Sequence, residues 1–152
     1  MYKILISTSI LIFCFGCTQK AKTHPFIEKH QNLKVNYNCT TEDLQRQVQD
    51  MVDIIKLDTR ESVIYFYENF ISKKEYNTWL KEGLLENRIS QFYKNKKRTL
   101  DLFEYFNNNK PTINGNTGYY NISKPNKFNF PKQMRSISFT YSNERKTFIP
   151  QI

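Results

Sequence analysis

Three cysteines, a short run of cations and a few spaced carboxylates are the side chains of this sequence that could carry chemistry. Cys14 and Cys17 lie in "FCFGCTQKAK", Phe13 to Lys22, where an apolar run gives way to a polar, basic one. A thiol at such a boundary can end a buried segment, close a disulfide or accept acyl groups. Cys39 is the third cysteine. The cations are Lys94, Lys96, Lys97 and Arg98 of "KNKKR", flanked by Phe92 and Tyr93 and by Phe103-Glu104-Tyr105-Phe106. Bases interleaved with rings suit anionic polymers or sugars, which they bind through charge and stacking. The same run also suits a solvated helix end whose cations complement the negative dipole.

Other chemistries lack their residues. His24 and His30 have only Glu28 between them as a potential ligand, which matches no strong metal-binding spacing. No serine has a lysine three positions later, and no histidine lies beyond residue 30 to act as a base. Gly115-Asn116-Thr117-Gly118 reads as a turn, because a phosphate cradle needs a following lysine and helix. Asp50 with Asp53, or Glu61 with Glu68, could serve a hydrolase if each pair faced one cleft, roughly 5–9.5 Å apart. The same acids equally suit the wet face of amphipathic helices. No catalytic residue, cofactor or metal site is therefore assigned.

The N-terminus bears on compartment. Lys3 precedes the twelve-residue run Ile4 to Phe15, whose polar members are Ser7, Thr8 and Ser9. A membrane span needs roughly 20 apolar residues and a signal-peptide core about 7–15, so cleavage is expected. Gly16-Cys17 resembles the end of a bacterial lipoprotein signal, in which a small residue precedes the cysteine that is lipidated and becomes the mature N-terminus. Cys14 stands where that pattern most often has leucine. The resemblance covers the first seventeen residues and implies a Cys17 carrying more than one acyl chain, enough for stable anchoring where a single chain is marginal. Thr18 in place of aspartate implies, by the same resemblance, the outer membrane if the cell has one. With Cys14 removed and Cys17 acylated, Cys39 is left without an intramolecular partner and is expected to pack as a small hydrophobe; without acylation, a Cys17–Cys39 disulfide becomes possible.

Removal of residues 1–16 leaves about 136 residues, enough for one small core. It removes Lys3 from 23 bases, leaving 22 against 14 acids and a charge of +8. From Asn109 onward seven bases face the single acid Glu144. Such an excess attracts anionic partners. In an envelope these are lipids, wall polymers and acidic proteins; nucleic acid is not expected.

Residues 17–31 are polar and read as a tether with a reach of roughly 20 Å. Residues 32–152 read as a single α+β domain. Leu33, Val35, Tyr37 and Cys39 alternate as an N-terminal strand over Asn32 to Cys39. Thr40 or Thr41 then caps a helix with Leu44, Val48, Met51 and Ile55 on one stripe. Asp58-Thr59-Arg60-Glu61 has capping-box spacing, and the apolar helix that follows belongs in the middle of the fold. Ser72-Lys73-Lys74-Glu75 starts a third helix, bearing Trp79, that ends at Gly83. Leu85, Ile89 and Phe92 line a fourth, and Thr99 to Phe106 add a separate short piece. Helices thus occupy about 41–106. Eight asparagines and three prolines between Asn107 and Gln133 suit turns. Tyr119, Tyr120 and Ile122 suit a short strand, and Met134 to Tyr141 and Glu144 to Ile149 suit two antiparallel strands around "SNER". This element order resembles the cone-shaped folds of the nuclear-transport-factor-like group.

The residues together predict an envelope lipoprotein with a small non-catalytic domain. It would bind an anionic polymer or protein through Lys94, Lys96, Lys97 and Arg98, in an immunity, exclusion or accessory role. The alternative is a cell-envelope hydrolase built on paired carboxylates.

Overall fold

The computed structural model describes residues 26, 29, 30, 33, 36–123, 125–128, 130–131 and 133–151. Among the described residues, four helices of full length precede a four-stranded antiparallel sheet: α1 (Thr41–Lys56), α2 (Arg60–Phe70), α3 (Lys73–Lys81), α4 (Leu85–Asn107), β1 (Thr112–Asn114), β2 (Thr117–Asn121), β3 (Ser136–Ser142) and β4 (Thr147–Gln151). The sheet is a meander in the order β1-β2-β3-β4, and the class is α+β as its sequence predicts. Cys17, Cys14 and most of the expected tether lie outside the described residues.

Each of the first three helices starts on a hydroxyl cap. Thr40 accepts the Asp43 N–H at 3.1 Å, and Ser72 accepts that of Glu75 at 3.2 Å. Between them, the α2 box is shifted by one residue from its expected position. Thr59 caps, exchanging bonds with Ser62, while Asp58 takes φ 56° at the end of the turn. A threonine oxygen already placed to take the Ser62 N–H leaves the Asp58 carboxylate free to reach outward. Gly83 enters at φ +68° and ends α3.

Two expectations need correction. The fourth helix and the separate piece at Thr99 to Phe106 form one helix of 23 residues, because nothing in "KNKKRT" breaks a helix and Asn95 and Thr99 bond back to carbonyls four residues earlier. Among the described residues of 32–39, none is in a strand. Leu33 and Tyr37 are buried as the alternation predicts, but among the described residues the backbone bonds to the sheet hairpin at Tyr37 alone, whose N–H donates to the Lys146 carbonyl at 2.8 Å and whose carbonyl accepts the Tyr141 hydroxyl at 2.7 Å. The Tyr37 hydroxyl turns inward to Asp50 at 2.6 Å, so the segment is fixed by side chains instead of a ladder. Further upstream Phe26, placed by sequence in the tether, is buried against Tyr65 with ring centroids 4.7 Å apart.

Sheet and helices share an aromatic core. Tyr120, Ile137, Phe139, Tyr141 and Phe148 line the inner face of the sheet, and Phe106 of α4 stacks on Tyr120 at 4.9 Å. Gly118 lets α1 come close: a Cβ there would lie 2.2 Å from Leu44 Cδ2, in a fully buried place with no room to yield. β1, which the sequence does not signal, pairs with β2 through a two-residue turn that needs the positive φ of Gly115.

The helix layer grips the sheet at Gln47. Its Nε2 donates to the Phe148 carbonyl at 2.6 Å and its Oε1 accepts the Phe148 N–H at 2.7 Å, all of it fully buried. Phe148 sits on β4, the outer strand, so the carboxamide satisfies an edge that would otherwise be open. Two residues on, Pro150 has no N–H to offer along the same edge. Replacing Gln47 by leucine keeps the bulk and orphans both backbone groups. We expect this to cost about 2–6 kcal/mol, about one to three for each group. It should be read as a lower urea midpoint at unchanged slope, and a loss below about 0.5 kcal/mol, the ordinary scale of a neutral surface change, would contradict the assigned role.

Candidate functional site

The long helix α4 carries the cations singled out by sequence, and its geometry divides them. Each residue advances the helix by about 100°, so neighbours in sequence point different ways. Lys94 and Lys97 are exposed to solvent, as is Tyr93. Lys96 turns toward the α1–α2 corner, where its Nζ lies 2.6 Å from the Asp58 carboxylate. Arg98 turns the opposite way, into a groove between α4 and α2–α3. The four are therefore not one patch. They also lie in the middle of α4, whose last turn has no base, so their charges do not complement its C-terminal dipole.

The groove has a volume of about 440 Å³. Its floor is aromatic: Phe66 and Tyr67 from α2, Trp79 from α3, and Phe92 and Phe103 from α4. Tyr67 packs edge-on against Trp79 at 5.1 Å and Phe92 at 5.8 Å, which holds the floor rigid. Ile71 and Pro150 form the far wall, with Glu75 at its mouth. Along α4 the rim reads Arg88, Gln91, Asn95, Arg98, all at helical spacing on one side.

Arg88 is held at three points. Its guanidinium carbon lies 4.8 Å from the Trp79 ring centroid, its Nη1 donates to Gln91 Oε1 at 3.2 Å, and its backbone carbonyl accepts the Tyr67 hydroxyl at 3.0 Å. A cation over an indole keeps its charge while its approach is fixed. Burial pushes the Tyr67 phenol up to about 12, against a smaller downward pull from Arg88 and an upward push from Glu75. The groove thus holds two guanidinium groups, one carboxylate and a phenol that stays neutral at neutral pH. Neither arginine forms an ion pair among the described residues. Sequence reading missed Arg88, Gln91, Asn95 and Trp79 as a set, and the i, i+3, i+7, i+10 spacing from Arg88 becomes visible only once α4 is known to be continuous.

Several other bases of the chain are committed to structure. Arg145 donates to the Ile71 carbonyl, Lys73 pairs with Glu144 at 2.9 Å and Lys56 with Glu104 at 2.7 Å. Lys124 and Lys132 lie outside the described residues.

The members of the proposed carboxylate pairs have different surroundings. Asp50 is fully buried beside Arg46 Nε at 3.3 Å and under the Tyr37 hydroxyl, whereas Asp53 accepts from Gln49 at 2.8 Å. Glu61 is exposed, and Glu68 takes the Tyr76 hydroxyl at 2.9 Å. None of the four lines the α4 groove or the two smaller clefts beside Tyr105 and Gln151, and no group of three potential metal ligands occurs among the described residues. His24 lies outside the described residues, and the His30 ring lies 4.5 Å from that of Phe26. Cys39 is half-buried, its thiol 3.6 Å from the Gly115 carbonyl. No helix of the described residues is long and apolar enough to cross a membrane.

Comparison with protein-family models, curated proteins and solved structures finds no match to this chain.

The buried phenols set an alkaline limit. Tyr65 and Tyr67 are both pushed up to about 12 by burial, from about 10 in the unfolded chain. Between those values the unfolded state releases protons that the folded state keeps, so their stabilisation is complete below pH about 10 and is lost as pH rises through about 12. Urea unfolding at several pH values should show stability declining from pH 10 upward. Tyr67→Phe should start lower at pH 7, having lost the bond to Arg88, and decline less steeply. A parallel decline in the variant would contradict the assignment.

Proposed function

We propose that this chain is an envelope lipoprotein, fastened through acylated Cys17, whose α+β domain binds an anionic partner on α4 and does no chemistry of its own. The observation that carries the reading is a set of cations left unneutralised on one long helix. Lys94, Lys97 and Arg98 are exposed and make no ion pair among the described residues, whereas Lys96 beside them and Lys56, Arg60 and Lys73 on other helices are each matched to an acid. Lys74, Lys81 and Lys146 are also exposed without an ion pair among the described residues, but on α4 three open cations fall within five residues and keep a positive field at that place, where it can steer an oppositely charged surface. The Gly16-Cys17 boundary supplies the address, and the partner classes follow from it: anionic envelope polymers or acidic proteins. An immunity, exclusion or accessory role fits such a domain equally.

Two measurements test the two halves of this reading. Cys17→Ala should move the protein from the membrane fraction to the soluble fraction, and mass spectrometry of the wild-type N-terminus should find acyl chains on Cys17. Unchanged fractionation would end the anchoring claim. Capture from native envelope extracts with Lys94→Glu/Lys97→Glu should lose a partner that wild type retains. Because rim charges act mainly on association rate, retention should also weaken with salt. Identical partner sets for the two proteins would end the claim for this face.

A further inference from the structure

We infer that the groove between α4 and α2–α3 is the seat of an extended acidic peptide segment of the partner, one that places an apolar side chain between two carboxylates. This rests on the reading that α4 meets an anionic partner, and it specifies where and what that partner presents.

The spacing of charge is the first reason. Arg88 and Arg98 are ten residues apart on a continuous helix, about 15 Å along its axis at 1.5 Å per residue. An extended chain rises about 3.3 Å per residue, so carboxylates four residues apart span a similar distance. Guanidinium groups recognise carboxylates in a planar, two-bonded manner, and here they open onto the same groove. The field favours an acidic occupant because Glu75 offsets only one of the two.

The floor and rim say what lies between the charges. Trp79, Tyr67 and Phe92 form a rigid apolar floor suited to a leucine or phenylalanine side chain, and buried Trp, Tyr and Arg are the residues that dominate binding energy at such places. Above it stand two exposed carboxamides. Gln91 gives its oxygen to Arg88, leaving its NH₂ to donate; Asn95 gives its NH₂ to the Gln91 carbonyl, leaving its oxygen to accept. One donor and one acceptor match a peptide unit. An acyl chain laid over them would strip water from both and return no hydrogen bond. The observations therefore favour a peptide over a lipid tail.

Trp79 is the only tryptophan in the chain, so its emission reports occupancy of this groove directly. The test uses a tryptophan-free pentapeptide with glutamate at its first and fifth positions and leucine at its third. Arms in parallel use glutamine for glutamate, serine for leucine, and vesicles of anionic phospholipid. The full-length domain should give a saturable change in Trp79 emission with the acidic peptide. Affinity should fall about tenfold for each carboxylate removed, the scale of one charge-assisted pair. Arg98→Gln should weaken binding similarly without altering the circular dichroism spectrum, since Arg98 is exposed. Arg88→Lys, which keeps the charge and loses the planar fork, should also bind more weakly. Equal response to the glutamine peptide, or response to vesicles and not to peptide, would overturn the inference. If the peptide is inert while envelope capture still depends on Lys94 and Lys97, the groove inference falls and the functional reading survives. If the peptide binds as described while capture ignores Lys94 and Lys97, the outer face of α4 is not the contact and the functional reading must be revised.

Discussion

The two bonds between the Gln47 carboxamide and the Phe148 backbone join the helix layer to the outer strand of the sheet. Everything on the groove side depends on that junction. β4 is an edge, held in the sheet on one side only, and Gln47 acts as its missing neighbour by supplying one donor and one acceptor at the spacing of a strand. Pro150, two residues further, then stands in the groove wall opposite α4. Thr147 adds a bond from its hydroxyl to the Asn69 carbonyl at the end of α2, at 3.3 Å, so the same strand also registers the helix that supplies Phe66 and Tyr67. A carboxamide is suited to this place because it satisfies both backbone groups without bringing a charge into the core. A glutamate would set a carboxylate against the Phe148 carbonyl, and an apolar residue would leave both groups orphaned in a dry interior.

The way charge is spent distinguishes structure from availability. Asp50 is buried under the Tyr37 hydroxyl and beside Arg46, Lys96 is drawn to Asp58, and Arg145 caps the open carbonyl of Ile71. These contacts fix the joints of the fold: the entry into α1, the α1–α2 corner and the end of α2. On α4 Lys94 and Lys97 stay in solvent, and Arg98, one turn on from Lys94, reaches the groove. A five-residue basic word in sequence thus becomes three environments in space. The groove is complementary to acid at its two ends and to apolar groups along its floor, a combination that neither the charge count nor the aromatic content implies by itself.

Legibility in the sequence followed the range of the forces involved. Hydroxyl caps at Thr40 and Ser72, the Gly83 stop and the alternation of Ile137, Phe139 and Tyr141 are local signals, and the corresponding elements stand where those signals put them. The Asp58 box slipped by a residue because Thr59 and Ser62 compete for the same role at the same spacing. The Leu33–Cys39 alternation marked the buried side chains correctly and the backbone wrongly, since burial of Leu33 and Tyr37 does not require a ladder. β1 carried no local signal in three residues and exists because β2 offers it an edge. Gln47 was unreadable as a clamp: a buried glutamine on a helix has meaning only through Phe148, 101 residues away. The groove was missed for the same reason, its floor being gathered from three helices.

The central claim is that the α4 groove is where an acidic partner rests. The most direct measurement is site-specific photocrosslinking in living cells, with the photoreactive residue placed at Asn95 on the groove rim or at Thr112 on the far edge of the sheet. A discrete, acidic protein joined from position 95 and absent from position 112 is the predicted result. A partner captured from position 112 alone would contradict it.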